Sequence, residues 1–282
     1  MDQRILRRRL FVRMMVWLPS TLMCLLIFFV LLVLFDFSLH GENAVLSTAV
    51  YRKLLQSSSV FRTIITTLWL AAVVTIFCNI LGFPVVRLIS RTQHAYVRRL
   101  ILLGLFAVLM SGAVTRGYAW MLILGKHGIL NQVLSLFFLP PARLMNSFYG
   151  VIITMTSVTL PFYILTLFGT MKGLTPDLEQ AAANLGASSW QRLRHVVIPL
   201  AVPGLVAASS LSFSLSLGAF LYPELLGGGR VRVLATVIYD DVQTSYNVQR
   251  AAALSVIFLV VALLIKFVPF CVLYLMRGVR KV

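Results

Sequence analysis

Long apolar segments recur along the chain, and short polar segments separate them. Four of the apolar segments carry no charged residue over 22 to 28 positions, and two more carry a single cation each. A helix needs about 20 apolar residues to cross a bilayer core, where every backbone polar group must be satisfied within the structure. The alternating segments of a transmembrane β-barrel do not occur. The pattern predicts an all-α bundle of six transmembrane helices, at residues 14–35, 63–86, 100–125, 144–171, 196–223 and 251–276.

The composition agrees with a polytopic membrane protein and indicates its orientation. The 282 residues are 60% hydrophobic and 12% charged, with a mean hydropathy of +0.93, which excludes an ordinary soluble domain. A net charge of +17 would suit nucleic acid, but the basic residues lie between the apolar segments. With six spans, 15 of the 25 Lys and Arg residues fall on the side of both termini and 9 on the other side. Because basic loops favour the cytoplasm, we expect both termini inside and no nucleic acid partner.

One polar segment, residues 172–198 between the fourth and fifth spans, has the features of a folded loop. Thr175 can cap a helix N-terminus, Pro176 suits the first helical position, and Gly186 tolerates the left-handed conformation that ends helices. These signals predict a helix of about ten residues, then a second short helix capped by one of the two serines that follow. The small residues at 181–183 suit a lever docked in a partner's groove and equally a helix on lipid headgroups. Local physics alone favours neither.

The same loop resembles the signature loop of permease subunits of ABC importers. That signature is written Glu-Ala-Ala, three residues, Gly, nine residues, Ile-x-Leu-Pro. Ala181 and Ala182 fall on its two alanines, Gly186 on its glycine and Pro199 on its proline.

The glutamate of the signature is displaced in this chain. Gln180 occupies its position, and Glu179 stands one residue earlier. Either Glu179 makes the polar contact with the partner ATPase, or that contact is uncharged. The resemblance implies an ATPase-coupling site formed by Glu179, Gln180, Ala181, Ala182, Gly186 and Pro199.

Two further segments are similar to permeases of the polyamine type. They are RGYAWMLILGKHGILNQ at residues 116–132 and PELLGGGRVRVLATVIYDDVQTSYNVQRAAALSVIFLV at residues 223–260. The resemblance covers roughly residues 60–276 and is less specific before them. It implies an N-terminal part with a cytoplasmic tail, the first helix and a periplasmic loop, a permease core that holds the coupling loop 172–198, and a cytoplasmic tail. These parts are residues 1–62, 63–276 and 277–282.

The resemblance implies a type I importer of the bacterial inner membrane. A second permease, expected to be a related but different chain, would complete the pathway, and two ATP-binding subunits would each receive one coupling helix. A periplasmic or lipid-anchored binding protein would deliver the solute. Polyamines such as putrescine and spermidine are the best match, and ferric ion, opines and aminophosphonates are the alternatives within the family.

The chain carries no motif for hydrolysing ATP itself. It has no phosphate-binding loop, no HExxH zinc motif and no nucleophile elbow, and its four histidines are scattered through loops. We therefore expect a non-enzyme without a metal or cofactor of its own, with Mg-ATP on a partner subunit. A secondary transporter or channel would need paired ionisable residues or inverted repeats in its spans, and a membrane enzyme would need a catalytic cluster. The sequence shows none of these.

Polar residues within or beside the spans are the remaining candidates. The candidates for the translocation path or a subunit contact are Asn79, Ser212, Ser216 and the intramembrane cation Lys266. Packing between helices is the alternative for the small polar side chains. The candidates for contact with the binding protein, at the expected outer mouth, are Glu224, Asp240 and Asp241. An ordinary wet loop is the alternative for these three.

Overall fold

The computed structural model of the chain describes residues 3–39, 49–92, 94–171 and 176–279. Within these ranges helices are the only regular secondary structure. The first half of the chain forms α1 (Gln3–Leu39), α2 (Ala49–Gln56), α3 (Ser58–Arg91), α4 (Ala95–Met110), α5 (Ala113–Leu124) and α6 (Ile129–Leu136). The second half forms α7 (Phe148–Met171), α8 (Pro176–Asn184), α9 (Ser189–Arg192), a π-helical turn (Leu193–Val197), α10 (Ile198–Leu217), α11 (Leu221–Gly227), α12 (Leu234–Gln243) and α13 (Val248–Val279).

Five of the described helical segments are long and apolar enough to cross a membrane. They lie in α1, α3, α7 and α13 and in the continuous run Ser189–Leu217, which contains α9, the π-helical turn and α10. Along α1 most large apolar side chains are exposed, from Trp17 to Phe37, as expected of a surface that faces lipid. The predicted all-helical membrane architecture is therefore confirmed.

The third predicted span is not one continuous helix, which corrects the expectation for residues 100–125. Helix α4 ends at Met110, and the next helix, α5, begins at Ala113 after the chain bends by 99°. Ser111 and Gly112 both have extended backbones, with ψ of 136° and 147°, so neither continues the helical hydrogen-bond ladder. The count of six spans holds only if the bent pair of helices counts as one.

The fifth predicted span ends earlier than the apolar run suggested. Helix α10 ends at Leu217, six residues before Pro223. Gly218 closes the helix with its N–H bonded to the Ser214 carbonyl at 3.2 Å. Pro223 lies in the first turn of α11, where the missing N–H of proline leaves no intrahelical bond unmade. Hydropathy cannot locate this break, because both sides of it are apolar.

By its internal contacts the chain divides into two units, Met1–Ser57 with Ile238–Val260 and Ser58–Val237 with Val261–Val282. The predicted part boundaries at 62/63 and 276/277 are functional and stay predictions. In the first unit the Tyr51 hydroxyl donates to Ser38 Oγ at 2.7 Å, and this bond joins α2 to the end of α1.

The core of the second unit lies where α3, α7 and α10 pack together. Its fully buried side chains are mostly aliphatic, and the largest of them is the aromatic residue Tyr163. Small residues bring the helix axes together: Gly82 of α3 lies directly against the Tyr163 ring, and Gly204 of α10 lies against Thr170 and Leu167 of α7. Close approach over glycine is a general means of association for membrane helices, since lipid tails provide no hydrophobic drive between them.

Several hydroxyl groups in these helices are satisfied by their own backbone. Thr75, Thr159 and Thr166 each donate to the carbonyl four residues earlier, at 2.7 to 2.8 Å. An unpaired polar group in hydrocarbon would cost several kcal/mol, so this local bond lets threonine occur in a spanning helix. Thr67 also accepts a bond at 2.9 Å from the N–H of Leu234, which ties the start of α12 to α3.

Replacing Gly82 with alanine is expected to destabilise the protein by about 1–3 kcal/mol, the usual range for overpacking. A Cβ at this position would overlap the Tyr163 ring, which is fully buried and has no free space to move into. The measurement is the melting temperature of the purified protein in detergent. The control is Gly169→Ala, where a Cβ meets nothing within 4 Å and the better helix propensity of alanine is the only change expected. Equal melting temperatures for the two variants would contradict this packing.

Candidate functional site

Helix α8 and the turn that ends it form the first half of the predicted coupling loop. The helix begins at Pro176, as its sequence predicted, whereas Thr175, the predicted cap, lies outside the described residues. Gly186 has a φ of +83°. The Gly186 N–H bonds the Ala183 carbonyl at 2.9 Å, and the Ala187 N–H bonds the Ala182 carbonyl at 3.1 Å. These two bonds are the Schellman arrangement, which satisfies the carbonyls left open at a helix end. The predicted short helix and its glycine stop are confirmed.

The second half of the loop turns the chain directly into the next span. Ser188 caps α9 in a reciprocal pair: the Gln191 N–H bonds Ser188 Oγ at 3.3 Å, and the Ser188 N–H bonds Gln191 Oε1 at 2.8 Å. The π-helical turn then continues into α10 without a break, and Pro199 stands in the first turn of α10. The loop therefore leads into a spanning helix with no non-helical residue between them.

Glu179 and Gln180 point in different directions from α8. The Glu179 side chain is only 19% exposed, and its Oε1 lies 3.5 Å from Arg87 Nη2 and in contact with Arg91 Nη2. Both arginines belong to the last turns of α3. Gln180 is exposed. The two candidates for the polar contact with a partner therefore differ. The Glu179 carboxylate is already paired within the chain, whereas the Gln180 amide is exposed.

The loop exposes three large apolar side chains. Leu178 is 49% exposed, Leu185 is 89% exposed and Trp190 is 66% exposed. Between them Ala181 is also exposed, whereas Ala182 is half-buried. Large apolar side chains held outward on a short helix, with small residues beside them, form a surface suited to a groove on another protein.

The second candidate set does not form one cluster. Asn79 joins three helices of the core: its Oδ1 accepts a bond from the Tyr163 hydroxyl at 2.9 Å and another from Ser209 Oγ at 3.0 Å. Its Nδ2 donates to the Thr75 carbonyl of its own helix at 2.8 Å. The amide therefore has partners on α3, α7 and α10, which is the packing role considered as the alternative to a path-lining role.

Ser212 and Ser216 are buried in α10; the Ser212 side chain lies within hydrogen-bonding reach of the Cys78 thiol of α3, whereas the Ser216 hydroxyl has no hydrogen-bond partner in the described structure. The hydroxyls of Thr154 and Thr156 on α7 share this property. Lys266 is exposed on α13, which is a different helix from those that carry these hydroxyl groups. A role of Ser212, Ser216 and Lys266 in the path or in a subunit contact stays a prediction.

The three acidic residues expected at the outer mouth differ in exposure. Glu224 on α11 is exposed and Asp240 is half-buried, but Asp241 is 4% exposed and pairs with Arg250 Nε at 3.4 Å. Burial raises the pKa of Asp241, which Arg250 partly offsets and Asp240 reinforces. Of the three carboxylates, Glu224 is the one that this chain leaves open to a partner.

Sequence reasoning missed two features of these sites. Arg87 and Arg91 entered the prediction only as basic residues that mark one side of the membrane. Their spacing of four positions places both on one face of a helix, and this was the signal that they could share one acidic partner. Nothing in the sequence indicated the bond between Asn79 and Tyr163, which are 84 positions apart.

Among the described residues, no group of three His, Cys, Asp or Glu side chains is placed to hold a metal ion. The described cysteines, Cys24 and Cys78, are free thiols. The chemistry available to the loop and the core is therefore helix contact, ion pairing and hydrogen bonding.

Comparison with known proteins shows the family to which the chain belongs. The family described as the binding-protein-dependent transport system inner membrane component matches residues 6–281. The chain belongs to this family, whose members are transport proteins of the inner membrane.

Individual relatives carry transport names as well. The chain is 32% identical over 219 residues to the inner membrane ABC transporter permease protein YdcU of Escherichia coli, which covers 73% of this chain and 70% of that protein. It is 32% identical over 204 residues to the spermidine/putrescine transport system permease protein PotB of Haemophilus influenzae, covering 72% of this chain and 71% of that protein.

A solved structure shares the fold. A chain of a bacterial alginate ABC transporter, in complex with an alginate pentasaccharide-bound periplasmic protein, matches with a TM-score of 0.78. The match covers 95% of this chain and 94% of that chain at 19% identity. The family match and the relatives show that the chain is an ABC transporter permease, and the solved structure shows that it shares the fold of that permease chain.

Removing Arg250 is expected to lower the melting temperature more than neutralising Asp241. Arg250→Ala leaves a buried carboxylate without its cation, whereas Asp241→Asn keeps the shape and removes a charge that burial disfavours. Thermal melting in detergent at pH 7 measures which of the two variants is less stable.

A second expectation concerns pH. Because the folded pKa of Asp241 is raised, its ionised form costs stability as the pH rises. The advantage of Asp241→Asn over wild type should therefore grow between about pH 4 and pH 7, and a constant or reversed difference would contradict the assignment.

Proposed function

We propose that this chain is one of two permease subunits of an importer that moves a small amine-bearing solute of the polyamine class into the cell. The similarity to the spermidine/putrescine permease supports the solute class. Ferric ion, opines and aminophosphonates remain the alternatives within the family. Family membership disfavours the different class of a secondary transporter or channel.

In this proposal the loop from α8 to α10 docks on a separate ATP-binding subunit in the cytoplasm, and both termini lie on the same side. The observation that carries it is the exposed face of α8, with Leu178 and Leu185 directed outward beside small residues. A face of this kind is costly in water and is covered when the helix enters a groove. Mg-ATP is then bound and hydrolysed by the partner, and closure of two such partners moves the α8 helices.

The charge inventory bears on how the solute is recognised. Within the described candidate spans Asp36, near the end of α1, is the only acidic residue. A cationic solute that passes this chain therefore meets mainly hydroxyl, amide and aromatic groups, which attract a cation weakly through lone pairs and ring faces. Selection of the solute is assigned to the binding protein and to the second permease, a related but different chain.

The effect of substituting Gly186 is expected to depend on whether the new residue tolerates a positive φ. A β-branched residue resists the left-handed conformation, so Gly186→Val should cost about 1–2 kcal/mol in this turn and misplace α8. Asparagine tolerates that conformation, so Gly186→Asn is the matched control. A Cβ at this position meets nothing within 4 Å, which means that backbone strain alone distinguishes the two variants.

The measurements for Gly186 are co-purification of the ATP-binding subunit and ATP hydrolysis stimulated by the loaded binding protein. We expect both to fall for Gly186→Val and to stay near wild type for Gly186→Asn. Wild-type values for Gly186→Val on both measurements would refute docking through this loop.

The solute class is tested on the binding protein that serves this importer. Thermal shift with putrescine and spermidine is expected to raise its melting temperature, and uptake of the same amines should require this permease. A shift with ferric ion, an opine or an aminophosphonate, and none with either polyamine, would replace the solute class without changing the role of the permease.

A further inference from the structure

The carboxylate of Glu179 is held inside the chain by two guanidinium groups. Its Oε1 lies 3.5 Å from Arg87 Nη2 and in contact with Arg91 Nη2, and its side chain is mostly buried. Its Oε1 is fully covered and has no hydrogen bond beyond these ion pairs. This carboxylate is therefore not available to an approaching protein unless the ion pairs open.

The two arginines sit at the end of a tightly packed helix. They are one turn apart on α3, and Val86 and Ile89, beside them in the sequence, are fully buried in the core of the second unit. Arg192 of α9 is close enough to act electrostatically on Arg91. Removing the Glu179 carboxylate would therefore leave Arg87 and Arg91 to repel each other, with Arg192 adding to the positive charge near Arg91.

The neighbouring residues of α8 show the opposite orientation. Successive helical residues are rotated by about 100° around the axis. Glu179 accordingly faces α3, whereas Leu178, Gln180 and Ala181 are exposed. The displacement of the acidic residue by one position, relative to the family signature, moves the charge from the outer face of α8 to the inner face.

We propose that Glu179 is a positioning residue that ties the coupling helix α8 to the end of α3, and that the uncharged Gln180 makes the polar contact with the ATP-binding subunit. The ion pairs transmit displacement of α8 to α3, and through α3 to the helices packed on it. This inference rests on the proposed docking of α8, and it assigns separate tasks to the two adjacent residues.

The test uses the complete importer, reconstituted with its ATP-binding subunits and loaded binding protein. The variants are Glu179→Gln, Arg91→Glu and the charge swap Glu179→Arg with Arg91→Glu. We expect both single variants to retain the ATP-binding subunits. Stimulated hydrolysis should fall about fivefold or more, which is the usual effect of losing the coupling free energy between two sites. The charge swap should recover most of the stimulation, since it restores an opposite pair across the same two helices.

Three comparisons make the outcome decisive. Arg99→Gln removes a cation at an exposed residue of α4, outside the docking loop and outside the ion pairs of the described structure, and should leave stimulation unchanged. Gln180→Arg should reduce co-purification of the ATP-binding subunits, which Glu179→Gln should not. Melting temperatures in detergent verify that each variant is folded, and recovery in the charge swap verifies this independently.

Several results would overturn the proposal. Loss of co-purification as the main effect of Glu179→Gln would make Glu179 the ATPase contact. Wild-type stimulation in Glu179→Gln, or no recovery in the charge swap, would refute the positioning role. Full co-purification in both Gln180→Arg and Gly186→Val would instead refute docking through α8 itself, so failure of the underlying function is distinguishable from failure of this inference.

Discussion

The side-chain amide of Asn79 bonds simultaneously to groups on α7 and α10 while it belongs to α3. The Tyr163 ring lies against Gly82 of α3, where a Cβ would overlap it, so the missing side chain leaves room for the ring to reach Asn79. In a hydrocarbon environment helices gain little from hydrophobic burial against one another, and close packing with a few interhelical hydrogen bonds decides which helices associate. This contact also joins the two helices that reach the loop, because α3 ends at the arginines beside α8 and α10 begins where the loop ends.

The loop is connected to the core helices at two points. On one side α10 follows α9 through a continuous π-helical turn. On the other side the ion pairs of Glu179 connect α8 to the last turns of α3. Two helices that share the Asn79 bond are thus attached to one loop at two points. A partner that moves the loop acts on a packed pair of helices and not on a single flexible connection.

The sequence predicted what depends on local chemistry. Pro176 and Gly186 fix the ends of α8, because one residue lacks an N–H and the other tolerates a positive φ. The long apolar runs located the spans, because the bilayer imposes the same length on every crossing helix. What failed was local geometry inside an apolar run: Ser111, Gly112 and Gly218 interrupt helices without changing the hydropathy.

The contacts of the candidate sites were beyond reach for a different reason. Asn79 is joined to Tyr163 and Ser209 across 84 and 130 positions, and only the packing of three helices brings them together. The direction of Glu179 likewise follows from where α8 lies against α3, although the family signature identified the right loop. Asp241 was expected to be open to solvent, and its burial beside Arg250 follows from how the chain between α12 and α13 turns back.

The bend between α4 and α5 restricts where this part of the chain can lie. The end of one helix and the start of the next leave several backbone carbonyls and N–H groups without partners in the helical ladder. Hydrocarbon cannot satisfy such groups, whereas water, headgroups or another protein surface can. The bend at Ser111 and Gly112 therefore lies at the headgroup region, in a hydrated cavity or against another subunit. A position that faces lipid in the middle of the bilayer is excluded.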